Sequence, residues 1–169
     1  TSLTLVGTGI KTLSHMNTET KAYIESADKV LFLLNEPVMQ EWIVKTNARS
    51  ESLEFLYWKY PERRKACYQA ITEYILEVLE TQGGHITVVF YGHPTVFAQS
   101  GLDAVRRARV LGYDVRALPG ISAEDCLFAD LEIDPAEGGC QSFEATDFLV
   151  RTRPFDAASH LILWQVGSV

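Results

Sequence analysis

Val30-Leu31-Phe32-Leu33-Leu34 is an unbroken apolar run between Lys29 and Asn35. A run this short reads as a strand buried on both faces, which a parallel sheet covered by helices requires. Leu3 to Gly7, Ile86 to Tyr91 and Val115 to Leu118 read in the same way. Leu53 to Leu56 is read as a third strand between them. The intervening stretches carry helical periodicity. Asn17 or Thr18 caps a helix to about Ala27, and Pro37 opens a short helix holding Trp42 and Ile43. The strongest helix runs from Glu62 to about Thr81, with Ile71, Tyr74, Ile75, Val78 and Leu79 on one stripe and Gly83-Gly84 after it. Leu102, Val105, Ala108 and Leu111 make a further stripe, stopped by Gly112. Strand, helix and strand in this order form βαβ units, so residues 1–118 are expected to be an α/β domain with a mainly parallel sheet.

Pro119-Gly120 punctuates the chain, and Ser122 caps a helix to about Leu131. Two short segments follow, Gln141 to Ala145 and Leu161 to Trp164. Residues 119–169 are too few for a sizeable core of their own and stop after an apolar strand. They read as the first part of a second α/β domain that continues past Val169.

Composition narrows the function classes. The 169 residues are 47% hydrophobic and 22% charged, a globular balance. With 15 basic against 22 acidic residues the net charge is −7, which argues against nucleic acid as partner. Only Arg63-Arg64-Lys65 and Arg106-Arg107 are basic runs. Cys67, Cys126 and Cys140 are widely spaced with no CxxC, so a disulfide framework is not expected and a reducing compartment is. The N-terminal segment shows no basic region ahead of an apolar stretch, and no run approaches membrane-spanning length. A cytoplasmic protein is the expectation. His15, His85, His93 and His160 have no ligand spacing, so no metal is expected.

Ligands of open parallel sheets bind beyond the carboxyl ends of the strands. Three segments fall there: Gly7-Thr8-Gly9, Tyr91 to Phe97, and Pro119 to Ala123. Each taken alone reads as ordinary strand-to-helix turn chemistry. The first is not a dinucleotide fingerprint, because Thr12 stands where a third glycine would open a helix and the helix starts late.

Taken together these segments are specific. Leu5-Val6-Gly7-Thr8-Gly9, Tyr91-Gly92-His93-Pro94-x-Val96-Phe97 and Pro119-Gly120-Ile121-Ser122-Ala123-Glu124, with Phe128 to Pro135, resemble the tetrapyrrole-methylase family in order and spacing. Gln141 to Thr146 and Leu161 to Gly167 resemble, more narrowly, its borosin branch, which methylates backbone amides of ribosomal peptides. The resemblance implies two domains with S-adenosyl-L-methionine in the cleft between them, S-adenosyl-L-homocysteine as product, a homodimer, and a precursor-peptide substrate, fused or separate. By motif position it implies that Gly9, Tyr91, His93, Val96, Phe97, Ser122, Ala123 and Gln165 line the cofactor site. The family often has glycine where this chain has Thr95, whose side chain is expected to narrow the cleft.

Tyr57, Tyr60, Arg64 and Tyr68 lie within twelve residues. Arg64 and Tyr68 are four apart and share a helix face, so both are expected to point inward. Spacing alone reads as an arginine bonded to a nearby helix end, with the tyrosines at the core's edge. The borosin resemblance carries catalytic roles onto these four positions. An amide nitrogen is a poor nucleophile because its lone pair is delocalised into the carbonyl. Methylation therefore needs a base for the N–H proton and donors for the imidate oxygen. Tyr68 is assigned as base and Arg64, with Tyr57 or Tyr60, as the carbonyl-side donors. Two rival readings stand beside this one: a small-molecule methyltransferase of the same fold acting on a tetrapyrrole, and a non-catalytic partner that keeps the fold.

Overall fold

The computed structural model describes residues 1–60 and 63–168. Two compact units divide the chain, Thr1–Ala123 and Glu124–Val169.

The first unit is built on five strands, β1 (Ser2–Gly7), β2 (Lys29–Leu33), β3 (Ser50–Ser52), β4 (His85–Phe90) and β5 (Asp114–Ala117). All are parallel, in the order β3-β2-β4-β1-β5. Alternation within the apolar runs sends side chains to both faces. Leu3, Leu5, Leu31, Val88 and Phe90 meet Ile71, Ile75, Val78 and Leu79 of α4 (Arg64–Gln82), and Ala104 and Val105 of α5 (Gln99–Val110). Val6, Val30, Phe32 and Val89 meet Ile24 of α1 (Thr18–Ser26) and Met39 and Ile43 of α2 (Pro37–Thr46). Each fully buried aliphatic side chain contributes about 1.5–3 kcal/mol. The parallel, doubly covered sheet is the α/β architecture expected from the sequence.

Local chemistry sets the ends of these elements. Asn17 caps α1 by accepting the Thr20 N–H at 2.7 Å. Pro37 occupies the first turn of α2, where a missing N–H costs nothing. The third strand differs from the expectation. β3 is Ser50–Ser52, and Leu53 and Leu56 lead into the short helix α3 (Phe55–Lys59). Both leucines are buried, three residues apart, a spacing that also serves a helical turn. The expected α4 start at Glu62 lies outside the described residues.

The second unit holds α6 (Ala123–Leu131), which begins one residue ahead of it, and a parallel pair, β6 (Cys140–Glu144) and β7 (His160–Trp164). A short helix absent from the sequence reading, α7 (Ala145–Val150), links the pair. Glu144 caps it by accepting the Asp147 N–H. Trp164 donates its indole N–H to the Ser142 hydroxyl at 2.6 Å. No helix among the described residues is long and apolar enough to cross a membrane.

Asn47 ties the first unit together between α1 and β3. Its buried amide donates to the Ile24 and Ala27 carbonyls, both at 2.9 Å, and accepts from the Arg49 N–H at 2.9 Å. Asn47→Ala leaves these groups without that partner and is expected to lower stability by about 1–3 kcal/mol. Urea denaturation followed by circular dichroism checks this, and an unchanged midpoint would refute it.

Candidate active site

The turns after β1, β4 and β5 converge on the backbone of Gly92. Gly9 (φ 72°) and Gly92 (φ 71°) both adopt the left-handed conformation that glycine tolerates. They exchange two hydrogen bonds: the Gly9 N–H donates to Gly92 O at 3.2 Å, and the Gly92 N–H to Gly9 O at 3.1 Å. A Cβ on Gly7 would lie 2.1 Å from Gly92 O, and one on Gly120 would lie 3.0 Å from the same atom. Glycine at these positions is therefore a packing requirement.

This core of backbone displays the motif side chains. Tyr91 is exposed and donates its hydroxyl to Ile10 O at 3.3 Å. His93 accepts the Thr95 N–H at Nδ1 over 3.2 Å, so a neutral ring carries its proton on Nε2. The Thr95 hydroxyl lies 3.1 Å from the same nitrogen. Thr95 is thus engaged with His93. Val96 is half-buried, Ser122 buried and Ala123 exposed. Phe97 is 46% exposed with φ 53°, a backbone conformation that costs a bulky side chain about 1–2 kcal/mol. Gln165 lies in the second unit, exposed, and is also left-handed at φ 58°.

The tyrosine and arginine cluster is distributed over three cavities. Tyr57 on α3 lines one of about 560 Å³ with Tyr91, Trp58, Leu33, Leu34 and Glu54. Arg64 and Tyr68 line a second of about 620 Å³ between α4 and α5. Tyr60 lines a third, of about 400 Å³, with Lys59 and Tyr74. The Tyr57 phenol is pushed up to about 12, chiefly by burial, then by neighbouring Tyr68 and Cys67, with Arg64 opposing. Tyr57, Tyr68 and Arg64 are therefore electrostatic neighbours, although Tyr57 lines a different cavity from the other two.

Arg64 does not point inward as expected. It is exposed at the first residue of α4. The buried stripe of α4, followed back from Ile75 and Ile71, reaches Cys67. Arg64, Tyr68 and Thr72 form the flanking ridge, which meets α5 where the Thr72 hydroxyl donates to Ser100 O at 3.0 Å. Trp58, 78% exposed beside Tyr57, was absent from the sequence reading. The aromatic run Phe55 to Trp58 would have signalled it had this stretch been read as a helix.

The chain belongs to the tetrapyrrole (corrin/porphyrin) methylase family, whose sequence profile matches residues 2–165. It is 44% identical over 169 residues to a protein of Serendipita vermifera subsp. bescii described as a methyltransferase/ribosomally synthesized type I borosin cyclic peptide precursor, covering 99% of this chain and 41% of that protein. It is 42% identical over 168 residues to the methyltransferase/ribosomally synthesized cyclic peptide omphalotin A precursor of Omphalotus olearius, covering 99% and 40%. The chain spans about two-fifths of the length of these relatives. Among solved structures, uroporphyrin-III-C-methyltransferase from Thermus thermophilus superposes with a TM-score of 0.68 at 21% identity, over 96% of this chain and 67% of that one. Diphthine synthase superposes with a TM-score of 0.62 at 17% identity, over 84% and 53%. Those two likenesses are of fold, and they agree with the fold class expected from the motifs.

The raised Tyr57 pKa has a direct consequence. Its phenol keeps its proton through neutral and moderately alkaline pH, so it acts as a donor there. Ultraviolet titration of the parent against Tyr57→Phe is expected to reveal a phenol that ionises near pH 12. A difference spectrum complete by about pH 10, the ordinary tyrosine value, would contradict this.

Proposed function

We propose that this chain is the methyltransferase part of a protein that transfers methyl groups from S-adenosyl-L-methionine to backbone amides of a ribosomal precursor peptide. The observation that carries this is the 44% identity along nearly the whole chain to a methyltransferase/borosin precursor protein. The neighbourhood of Tyr57, Arg64 and Tyr68, the positions onto which that resemblance carries catalytic roles, supports it.

The strand-end turns of the first unit fit the cofactor. Close backbone packing around Gly92 O holds the turns after β1, β4 and β5 together, so the side chains they carry are displayed from one rigid base. Tyr91 and Phe97 add exposed aromatic surface, and the strained Phe97 backbone is the kind of cost retained at ligand sites. Gly9, Tyr91, His93, Val96, Phe97, Ser122 and Ala123 would hold it. When bound, S-adenosyl-L-methionine supplies an electrophilic methyl carbon with a thioether as leaving group.

The chain's own residues would then make the amide reactive. Tyr68 accepts the amide proton and passes it to solvent. Tyr57, protonated at working pH, donates to the carbonyl oxygen as imidate charge develops there. The Arg64 guanidinium favours the developing imidate by its charge. Tyr57 rather than Tyr60 is taken as the donor because Tyr68 and Arg64 both act on its phenol. The wide spacing of Cys67, Cys126 and Cys140 favours a reducing, cytoplasmic setting. A homodimer follows the family resemblance, and analytical ultracentrifugation tests it.

Tyr68→Phe is expected to lower methylation by about 10²–10⁴-fold while S-adenosyl-L-homocysteine still binds. Intact-mass analysis and calorimetry read the two effects, and full turnover would eliminate the assignment. Phe97→Gly relieves backbone strain, so stability is expected to hold or rise while S-adenosyl-L-homocysteine affinity falls about tenfold. Unaltered affinity would remove Phe97 from the cofactor site.

A further inference from the structure

The two basic runs of this acidic chain are some forty residues apart in sequence, and the fold brings them to one groove. Lys65 beside Arg64 on α4, and Arg106 with Arg107 on α5, line the same cavity of about 620 Å³. Among the described residues its lining holds four cations and one carboxylate, Asp103. The chain as a whole has the opposite balance, 15 basic to 22 acidic residues. Arg107 is held in a forked pair by Glu73, at 2.7 and 3.1 Å. Arg106 meets Asp103 only at 3.8 Å, and its side chain is 65% exposed. Counting Glu73 as well, the described residues of the groove keep an excess of positive charge.

The groove also contains Tyr68, the proposed base. A peptide that places an amide at Tyr68 therefore runs past Lys65 and Arg106. We propose that this α4–α5 groove binds acidic side chains of the substrate peptide on one flank of the methylated residue. The inference rests on the reading of the ligand as a peptide. Charge complementarity supports the occupant, since carboxylates are the peptide groups that a cation-lined groove attracts. Nucleic acid fits less well: a polyanion with a charge every few ångströms would extend beyond four cations onto a surface of net charge −7.

The test uses the full chain and three fluorescent peptides that differ only in the flank, bearing glutamates, serines or lysines. Anisotropy is measured at about 0.01 M and about 1 M salt, with methyl incorporation followed by mass in parallel. The glutamate peptide is expected to bind about tenfold tighter than the serine peptide at low salt, with the gap closing at high salt. Lys65→Glu combined with Arg106→Glu changes two exposed residues, so folding is retained, as circular dichroism will verify. In that variant the order is expected to invert, the lysine peptide binding best. Equal binding of all three peptides, a glutamate preference that survives the charge reversal, or displacement of the glutamate peptide by a single-stranded RNA that binds more tightly would each overturn the proposal. Acid-selective binding with no methyl gained by any peptide would uphold the groove and overturn the methylation reading. Equal binding and equal methylation of all three would do the reverse.

Discussion

The carbonyl of Gly92 lies where side chains at Gly7 and Gly120 would otherwise be. That contact joins the carboxyl ends of three parallel strands. The β1–β4 ladder ends at Gly7 opposite Phe90, and the chain then turns so that Gly9 and Gly92 continue the pairing in the antiparallel sense. A methyl group at Gly7 would meet backbone at 2.1 Å, and backbone has no rotamer with which to yield. Tyr91, His93 and Phe97 take their directions from this turn. Thr95 adds a second level of order by fixing which imidazole nitrogen of His93 accepts. Displaying the side chains of the proposed cofactor site thus depends on a region with almost no side chains.

The phenols are ordered differently, through packing of α3. Phe55 meets Tyr74 edge-on with ring centroids 5.3 Å apart. Tyr74 donates to Glu51, which is also paired with Lys29 at 2.6 Å. The β3 edge, α3 and α4 are linked through these groups, and Tyr57 lies on α3 two residues after Phe55 and next to Trp58. Burial acts on Tyr57 in particular, pushing its phenol up to about 12, so that it keeps its proton at neutral pH.

Much of this was legible in the sequence because burial on two faces leaves continuous apolar runs, as in β2 and β4, and because α4 carries a long stripe closed by Gly83. The strand-end glycines were legible for a related reason, since their positions follow from where the runs stop. Ser50-Glu51-Ser52 was not, because an edge strand needs no apolar signal. Nor was α7, only six residues long and announced by little beyond the Glu144 cap. The direction of Arg64 was misread because two candidate ridges leave the first turn of α4, and only packing on the sheet decides that Cys67 lies on the buried one. The separation of Tyr60 from Tyr57 follows from the short helix α3, which holds Tyr57 and ends at Tyr60, and which no periodicity over so few residues reveals.

The brevity and polarity of β3 matter beyond the site. An uncovered sheet margin is a template on which another chain can add a strand and begin a fibre. Here that margin is three residues long, its Glu51 carboxylate is engaged by Lys29 and Tyr74, and the backbone coils away at once into α3. The turn into the helix that presents an exposed tryptophan and tyrosine therefore also ends the strand, and leaves a foreign chain little length along which to pair.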